Sequence, residues 1–494
     1  MLSDLYEYLS NKVILILGFG REGRSTYNFI LRHKDEIALK ELIIADQNEV
    51  AVDLDSSLNI STVFGKDYLK AMAKADLVLK SPGISFKNFN KHFINDHYEV
   101  EKYPGAEISG QVDLFLRFAP GTIIGISGTK GKSTTTSLIS TILKAQKDSV
   151  YLLGNIGVPV LDHIDDLNED SFAVLEISAH QLEFTSASPD VAVLTNIYPE
   201  HLDHYKSYEE YKAAKINLIR HQDSNDLCVL NINEKELMNS AKGHLEAKLN
   251  LILDAQNVYN YFHLIDSNDL NLNKLFVLKQ GLDFNIYDLS NSNFQLLKKS
   301  SLKQNTRMIG RHNSLDSLLA LAATLPFIDD FNLALNSIAN FKGLEHRLEY
   351  IGKFNNIYFY NDSISTIPKS TELALEALRT KNNKVSLLLL GGMDRGLDYS
   401  GLVKFLYAYG LKYLICFPDT GYEIYDLVGR NNQKAGHQIK AFKVESMQEA
   451  VKLVYKLAKN EDICLLSPAA ASYNQYKNFA ERGNYFKHYV EKLA

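Results

Sequence analysis

The stretch of sequence that decides the fold is Thr122-Ile-Ile-Gly-Ile-Ser-Gly-Thr-Lys-Gly-Lys-Ser-Thr-Thr-Thr136. Its apolar first half predicts a buried strand, and the apolar spacing that follows Lys132 predicts a helix. The glycines of the turn between them, Gly128 and Gly131, allow backbone N–H groups to surround a polyphosphate at the positive end of that helix. The Lys132 ammonium would reach the outer phosphates, and the Ser133 hydroxyl would face a magnesium ion. The stretch therefore predicts a nucleoside triphosphate site.

Size and composition are those of an ordinary globular protein with several domains. The chain has 494 residues, of which 46% are hydrophobic and 23% are charged. A net charge of −6 argues against a nucleic-acid backbone as the main partner. Three widely spaced cysteines form no metal-binding pattern and indicate a reducing compartment. No apolar run reaches the length of a membrane span, so we expect a soluble, cytoplasmic protein without a membrane or nucleic-acid partner.

Strand and helix signals divide the chain into three blocks. The predicted domains are 1–110, 111–343 and 344–494. The first block opens with an apolar strand, Val13–Leu17, and the turn Gly18-x-Gly-x-x-Gly23, a pattern that binds diphosphates. The third block alternates apolar runs with helical patterns, whereas residues 240–305 carry no motif that we can interpret. We predict an α/β fold with three mainly parallel sheets: Rossmann-like at the N-terminus, P-loop ATPase-like in the centre and Rossmann-like at the C-terminus.

Three polar residues of the second block stand where a ligand site would need them. Glu176 interrupts an apolar strand, where a carboxylate is costly unless it is paired or bound to metal. His201 follows another apolar strand, and Lys215 lies in a helical pattern. Taken singly, Glu176 has a salt-bridged core acid as its alternative explanation, whereas His201 is more often an ordinary loop histidine and Lys215 normally a solvated surface lysine.

The order of motifs along the whole chain resembles the Mur ligase family, the ATP-dependent amide-bond-forming enzymes of peptidoglycan precursor synthesis. The segments that carry the resemblance are Gly128–Thr134, Gly154–Gly157, Leu175–Glu183, Glu200–Asp203, Tyr211–Lys215, His312-Asn313, His346-Arg347, Asn361–Ser363 and Leu466–Ser472. Each segment is short, but their joint order is specific. The resemblance implies a monomer that ligates D-glutamate to UDP-N-acetylmuramoyl-L-alanine through an acyl phosphate, using ATP and two Mg²⁺ ions.

The resemblance also implies roles for individual residues. The catalytic residues would be Lys132, His201 and Lys215. The ATP-binding residues would be Gly128, Thr129, Lys130, Gly131, Lys132, Ser133, Thr134, Asn313, Arg347 and Asp362. The residues that bind the UDP-substrate would be Gly18, Gly20, Asp46, Ser81, Gly83, Asn155, Ser178 and Gln181. The glutamate-binding residues would be Thr366, Arg395, Ser472 and Phe479. The metal ligands would be Ser133, Glu176, His201 and Lys215, the last as N6-carboxylysine, because a carbamate supplies the anionic oxygen that magnesium prefers.

Two departures from the family pattern concern the glutamate. Ile364 stands where relatives commonly carry lysine, and Arg395 stands where they carry a glutamate-binding lysine. An arginine can hold a carboxylate through two parallel hydrogen bonds, so binding can survive with altered geometry. Ligation of L-glutamate, or another Mur-type amide ligation, therefore remains an alternative.

Two more distant interpretations explain only part of the chain. A nicotinamide dehydrogenase would account for the first block and leave the phosphate loop without a purpose. A P-loop regulatory NTPase would account for the second block, would hydrolyse ATP without another substrate, and would leave the first block idle. A binding module without catalytic activity accounts for fewer of these motifs than either enzyme.

Overall fold

The structure is a computed structural model that describes residues 2–94, 96–156, 158–254, 271–279, 281–290, 295–302, 308, 311–380, 383–432 and 438–494. It divides into two compact units, Met1–Gln304 with Arg311–Phe341, and Asn305–Gly310 with Lys342–Ala494. No helix in these ranges is both long and apolar enough to cross a membrane.

The helices and strands alternate along most of the chain. The α-helices are α1 Leu2–Leu9, α2 Arg21–Arg32, α3 Gln111–Phe118, α4 Lys132–Lys144, α5 Ala179–Leu182, α6 Tyr208–Arg220, α7 Lys235–Ala241, α8 Arg311–Thr324, α9 Phe331–Asn340, α10 Pro368–Ala377, α11 Ser400–Tyr409, α12 Thr420–Asn432, α13 Met447–Leu457 and α14 Phe479–Lys492. The strands are β1 Val13–Leu17, β2 Glu41–Asp46, β3 Ile60–Phe64, β4 Leu77–Lys80, β5 Lys91–Ile94, β6 His97–Val100, β7 Tyr103–Ser109, β8 Thr122–Ser127, β9 Val150–Gly154, β10 Phe172–Glu176, β11 Val191–Leu194, β12 Leu227–Asn231, β13 Lys248–Asp254, β14 Leu272–Leu278, β15 Asp283–Asp288, β16 Gln295–Ser301, β17 Glu349–Phe354, β18 Ile357–Asn361, β19 Val385–Gly392, β20 Tyr413–Asp419, β21 Lys440–Lys443 and β22 Ile463–Leu466. Segments of 3₁₀-helix lie at Gly65–Lys74, Val160–Asp162 and Ile164–Asp166.

The first unit begins with a sheet in the order β3-β2-β1-β4-β7-β6-β5. Strands β3, β2, β1, β4 and β7 are parallel, and the pairs β7–β6 and β6–β5 are antiparallel. The inner strand β1 is almost entirely apolar and buried, as expected for a parallel strand covered on both faces. The carboxyl ends of β1, β2 and β4 meet at one edge, where open α/β sheets bind ligands.

A second sheet in the same unit carries the phosphate loop. Within the described ranges its order is β16-β15-β14-β13-β12-β11-β8-β10-β9, parallel from β9 to β14 and antiparallel beyond. Strand β8 lies between β10 and β11, and the loop after it leads into α4, which packs against α8. Strands β13 to β16 lie in the part of the chain that the sequence left without a motif. The outer strand β16 is exposed along most of its length and therefore lacks an apolar signal.

The second unit contains a third sheet in the order β17-β18-β22-β19-β20-β21. Its strands are parallel except for β17, which pairs antiparallel with β18. Apolar clusters cover both faces of the central strands, with helices α10 to α12 on one side and α13 and α14 on the other. The prediction of an α/β fold with three mainly parallel sheets is confirmed, while the domain limits drawn from the sequence stay predictions.

Candidate active site

The glycine-rich turn after β8 has the backbone geometry of a phosphate loop. Gly128 has a φ of 148° and Gly131 a φ of 84°, conformations that favour glycine. A Cβ atom at Gly131 would also lie 2.6 Å from a carboxylate oxygen of Asp316. Helix α4 begins at the next residue, Lys132, so its free N–H groups face the turn. Ser133 and Thr134 follow in its first turn.

The end of β11 holds this loop in place. The Thr195 hydroxyl donates to the Lys130 carbonyl oxygen at 2.6 Å, and the Lys130 N–H donates to the Asn196 side-chain oxygen at 2.8 Å. The Thr129 hydroxyl accepts from the Tyr198 N–H at 2.9 Å and lies 3.0 Å from the Tyr211 hydroxyl. Thr129 therefore turns its side chain into the protein, and its backbone N–H donates to the Asn196 carbonyl oxygen at 3.0 Å.

Two lysine side chains converge on one carbonyl group of the loop. The Lys132 ammonium donates to the Gly128 carbonyl oxygen at 2.8 Å, and the Lys215 ammonium donates to the same oxygen at 2.7 Å. Lys215 is only 2% exposed, and no carboxylate of the described residues forms an ion pair with it. Burial, followed by the positive charge of Lys132, lowers the pKa of Lys215 well below its ordinary value. Lys215 is therefore not the surface lysine that it would be when taken singly.

Glu176 supplies an oxygen that the protein itself leaves unused. It is the last residue of β10 and 2% exposed, and its Oε1 accepts a hydrogen bond from the Asn155 amide at 2.6 Å. Its buried Oε2 has no hydrogen-bond partner in the part of the chain that the structure describes. A buried carboxylate oxygen without a partner is costly, and a bound cation would remove that cost.

His201 lies in a tight turn close to these groups. Its φ is +58°, and its carbonyl oxygen accepts from the His204 N–H at 3.0 Å and the Tyr205 N–H at 3.1 Å. Its side chain is 45% exposed, and its ring centroid lies 4.6 Å from that of His180. Burial lowers the pKa of His201, and the nearby positive charge of Lys215 adds to the effect although Glu200 opposes it. A neutral imidazole is the form that binds metal.

The residues present fit a divalent cation that a substrate helps to hold. No three His, Cys, Asp or Glu side chains of the described ranges come together as a metal site by themselves. The free oxygen of Glu176, the ring of His201 and the hydroxyl of Ser133 could each supply one ligand. A phosphate could supply further ligands.

The residues predicted to bind the UDP group lie at the carboxyl edge of the first sheet. The Ser81 hydroxyl donates to the Gly18 carbonyl oxygen at 2.8 Å, and Asp46 accepts from the Phe19 N–H at 2.7 Å. Gly18 has a φ of 91°, and a Cβ there would lie 2.8 Å from the Cβ of Ser81. Gly20 precedes the first residue of α2, and Gly83 follows Ser81 in an open turn.

The two predicted substrate residues on α5 also have a structural task. The Ser178 hydroxyl accepts from the Gln181 N–H, and the Gln181 side chain accepts from the Ser178 N–H, which makes a capping box. The Gln181 amide also donates to the Glu22 carboxylate at 2.6 Å, which connects α5 with α2. Gly157, the last residue of the Gly154–Gly157 motif, lies outside the described residues.

Asn313 lies in the first turn of α8, the helix that packs on α4. Asp316 lies one turn further along, and its carboxylate is the group that approaches Gly131. Sequence reasoning missed Asp316. Its spacing of three residues from Asn313, which puts both on one helix face, was the signal that could have revealed it.

In the second unit, Asp362 is buried after β18. It accepts from the Ser467 hydroxyl at 2.8 Å and from the Leu348 N–H at 3.2 Å. Burial raises the pKa of Asp362 to about 6 against the effect of these hydrogen bonds. Arg347 lies close enough for its positive charge to lower that pKa.

The predicted glutamate residues gather at the carboxyl edge of the third sheet. The Ser363 hydroxyl donates to the Phe479 carbonyl oxygen at 2.7 Å, which ties the start of α14 to the loop that contains Thr366. The Met393 N–H donates to the Ala471 carbonyl oxygen at 2.9 Å and so brings the loop of Arg395 beside Ser472. The Arg395 side chain itself is exposed. Its charge is therefore available to a ligand at this edge.

Arg482 on α14 is a second residue that sequence reasoning missed. It is 1% exposed and donates to the Ser363 hydroxyl at 3.0 Å, to the Ser363 carbonyl oxygen at 2.9 Å and to the Ala470 carbonyl oxygen at 3.0 Å. Burial lowers the pKa of Arg482 to about 10. Arg482 thus joins the two loops that carry Thr366 and Ser472.

Two family models match the chain. The Mur ligase middle domain matches residues 126–324, and the Mur ligase, glutamate ligase domain matches residues 346–470. The chain is 31% identical over 501 aligned residues to the UDP-N-acetylmuramoylalanine--D-glutamate ligase of Acetivibrio thermocellus, with 100% of this chain and 99% of the relative covered. It is 30% identical over 495 residues to the enzyme of that name from Clostridium botulinum, with 99% of each covered.

Solved structures of the same fold cover nearly the whole chain. The MurF ligase of Thermotoga maritima in complex with ADP has a TM-score of 0.51 at 16% identity and covers 99% of this chain and 97% of its own. The UDP-N-acetylmuramate-alanine ligase MurC of the same organism has a TM-score of 0.53 at 16% identity, with 98% and 99% covered. At this level of identity the likeness shows the fold.

Proposed function

The chain belongs to the Mur ligase family and is an ATP-dependent amide-bond-forming ligase, and from this premise we propose that it joins D-glutamate to UDP-N-acetylmuramoyl-L-alanine. The observation that carries the proposal is the full-length similarity to relatives of that name at about one residue in three. The phosphate loop, with two lysines on one carbonyl group and a carboxylate oxygen left unused, supports it. As a family member the protein would act as a monomer in the cytoplasm, in peptidoglycan precursor synthesis.

In the first step, the carboxylate of the muramoyl substrate would attack the γ-phosphate of ATP and release ADP. The N–H groups of α4 and the ammonium of Lys132 would neutralise the charge on the transferred phosphoryl group. Lys132 would exchange its present hydrogen bonds to the loop carbonyl groups for bonds to phosphate. Magnesium, when bound, would supply further positive charge at the phosphate oxygens.

In the second step, the amine of glutamate would attack the acyl carbon, the C–O bond to phosphate would break, and inorganic phosphate would leave. The protein would contribute mainly by holding amine and acyl carbon in line and by excluding water, which would otherwise hydrolyse the acyl phosphate.

We propose that the cation is bound by Glu176 through its free Oε2, by His201, by Ser133 and by a carbamate on Lys215. The environment of Lys215 suits that modification. Only a neutral amine attacks carbon dioxide, and burial beside Lys132 favours the neutral form. The carbamate would then replace the amine with an anionic oxygen ligand.

The UDP part of the substrate would bind at the edge formed by Gly18, Gly20, Asp46, Ser81 and Gly83. Gly18 would allow the backbone to approach the ligand closely. The carboxylate of Asp46 stands at the position from which an acid commonly contacts a ribose at such an edge. On the central sheet, Asn155, Ser178 and Gln181 would adjoin the muramoyl group.

In the second unit, the glutamate would contact Thr366, Arg395, Ser472 and Phe479. Its side-chain carboxylate would meet the exposed guanidinium of Arg395. Ile364 and Arg395 are also the reason to keep L-glutamate as the second candidate, because they alter what surrounds that carboxylate.

The test is a ligation assay with purified full-length protein, ATP, Mg²⁺ and UDP-N-acetylmuramoyl-L-alanine, with each enantiomer of glutamate offered separately. We expect phosphate release and ligated nucleotide with D-glutamate and little product with L-glutamate. Preference for L-glutamate would change the assigned amino-acid substrate and leave the proposed class of reaction unchanged. Rapid ATP hydrolysis without the other substrates would refute the proposal in favour of a regulatory NTPase.

A further inference from the structure

A buried ionic cluster joins the first sheet to the loop that carries His201. At its centre the Glu183 carboxylate, 3% exposed, lies 2.6 Å from the Lys91 ammonium, 3.3 Å from the Lys80 ammonium and 3.2 Å from the Nε2 of His204. Lys80 ends β4 and Lys91 begins β5, whereas Glu183 directly follows α5. None of the four belongs to the candidate active site described above.

The cluster reaches His201 through a short chain of contacts. His204 holds Glu183 with its ring and donates its backbone N–H to the His201 carbonyl oxygen at 3.0 Å. The same turn is held from the other side by the segment between β4 and β5, because the Ser85 hydroxyl donates to the His204 carbonyl oxygen at 2.5 Å and the Lys87 ammonium to that of Asp203 at 2.8 Å. The turn is therefore anchored on both sides.

The backbone of His201 needs such anchoring. Its φ of +58° is a left-handed conformation that is uncommon for residues other than glycine and costs free energy, which the surroundings must offset. The Glu183 carboxylate keeps its charge over the pH range of an assay. Burial alone would raise the pKa of Glu183, but the hydrogen bond from His204 and the charges of Lys80 and Lys91 outweigh it and lower the pKa to about 2.

We propose that Glu183 and His204 are positioning residues, which hold the His201 ring in the orientation that binds a divalent cation. Hydrogen-bonded partners behind a metal ligand commonly fix its orientation, and their loss typically weakens metal binding 10- to 100-fold; here the contact is made through the backbone carbonyl group of His201. The inference rests on the proposed function, because it takes His201 as a metal ligand.

The test measures Mn²⁺ binding to the full-length protein by electron paramagnetic resonance of free Mn²⁺, with a non-hydrolysable ATP analogue present. We expect His204→Leu and Glu183→Gln to weaken Mn²⁺ binding about 10- to 100-fold. His204→Gln, whose amide can reach the Nε2 position, should restore most of the affinity. The matched control is Asp165→Asn, which breaks an ion pair between Arg32 on helix α2 and the 3₁₀ segment Ile164–Asp166 and leaves the His201 turn untouched. It should bind Mn²⁺ within about twofold of the unmodified protein.

Thermal unfolding identifies variants that fail to fold. If His204→Leu fails to fold, the Mn²⁺ affinities of Glu183→Gln and His204→Gln are compared instead, and a weaker affinity in Glu183→Gln supports the positioning role. Equal Mn²⁺ affinity in all folded variants would overturn the inference, and so would equal losses in His204→Leu and His204→Gln. A protein that binds Mn²⁺ as expected but ligates no glutamate would refute the proposed function and leave the positioning role supported.

Discussion

Replacing Lys215 by methionine should make the protein more stable near neutral pH while abolishing its activity. The side chain is 2% exposed and its ammonium has the Gly128 carbonyl oxygen as acceptor at 2.7 Å but no carboxylate as ion-pair partner in the described residues. Burial lowers its pKa well below the value of 10.5 in the unfolded chain. The unfolded state therefore binds more protons than the folded state between those two pKa values.

The sign of the pH dependence follows from this difference in bound protons. Between the folded pKa and 10.5, the free energy of unfolding rises with pH by up to about 1.4 kcal/mol per pH unit on account of this one group. Methionine cannot titrate, so the variant lacks this slope. The excess in free energy of unfolding of Lys215→Met over the unmodified protein should be largest at the lowest pH between the two pKa values and should shrink as pH rises. The substitution also removes one hydrogen bond, which lowers the stability of the variant by about 1 kcal/mol at every pH.

Urea unfolding of the ligand-free protein at pH 7, 8 and 9, in buffer freed of carbon dioxide, measures this difference. The matched control is Lys212→Met on the same helix, because hydrogen bonds to Glu209 and Glu236 raise the pKa of Lys212 and place its titration above this range. Its effect should be the same at all three pH values. Parallel pH profiles for Lys215→Met and the unmodified protein, or a ligase that still works with methionine, would refute the reasoning.

Three further changes test the chemistry. Lys132→Ala should lower the ligation rate about 10²- to 10³-fold with an unchanged circular dichroism spectrum, and near-normal turnover would exclude the loop as the reaction site. Lys215→Arg should also be almost inactive in the ligation assay, because arginine keeps the charge but forms no carbamate; full activity would mean that Lys215 is not a modified ligand. Arg395→Ala should weaken glutamate binding by about 1.5–3 kcal/mol, the range for a hydrogen bond to a charged group, and leave the KM for ATP unchanged. Lys404→Ala on α11 serves as its control, and equal effects on glutamate and ATP would contradict the assignment.

Local signals were sufficient for the architecture and for the phosphate loop. Gly128, Gly131 and Lys132 are recognisable because a strand end, a turn that needs positive φ and a helix start occupy consecutive residues. The same holds for Gly18 and the diphosphate turn of the first sheet. Alternation of apolar runs with helical patterns predicted three mainly parallel sheets, since parallel strands covered on both faces must be apolar and must be joined by crossovers.

Burial and partnership, in contrast, depend on residues far apart in the chain. Only the folded protein shows that Lys215 is buried on a loop carbonyl group 87 positions away in sequence, and that Glu176 keeps one oxygen free. The roles of Asp316 and Glu183 depend on such partners too, because the groups that they approach, Gly131 and Lys80, lie more than 100 positions away in the sequence.

Local sequence was therefore enough to predict three mainly parallel sheets and a glycine turn that leads into a helix, because backbone conformation and apolar period are properties of neighbouring residues. The identity of the buried, paired and unpaired charges emerges only in the folded chain, because solvent exclusion and Coulomb interaction depend on distance in space.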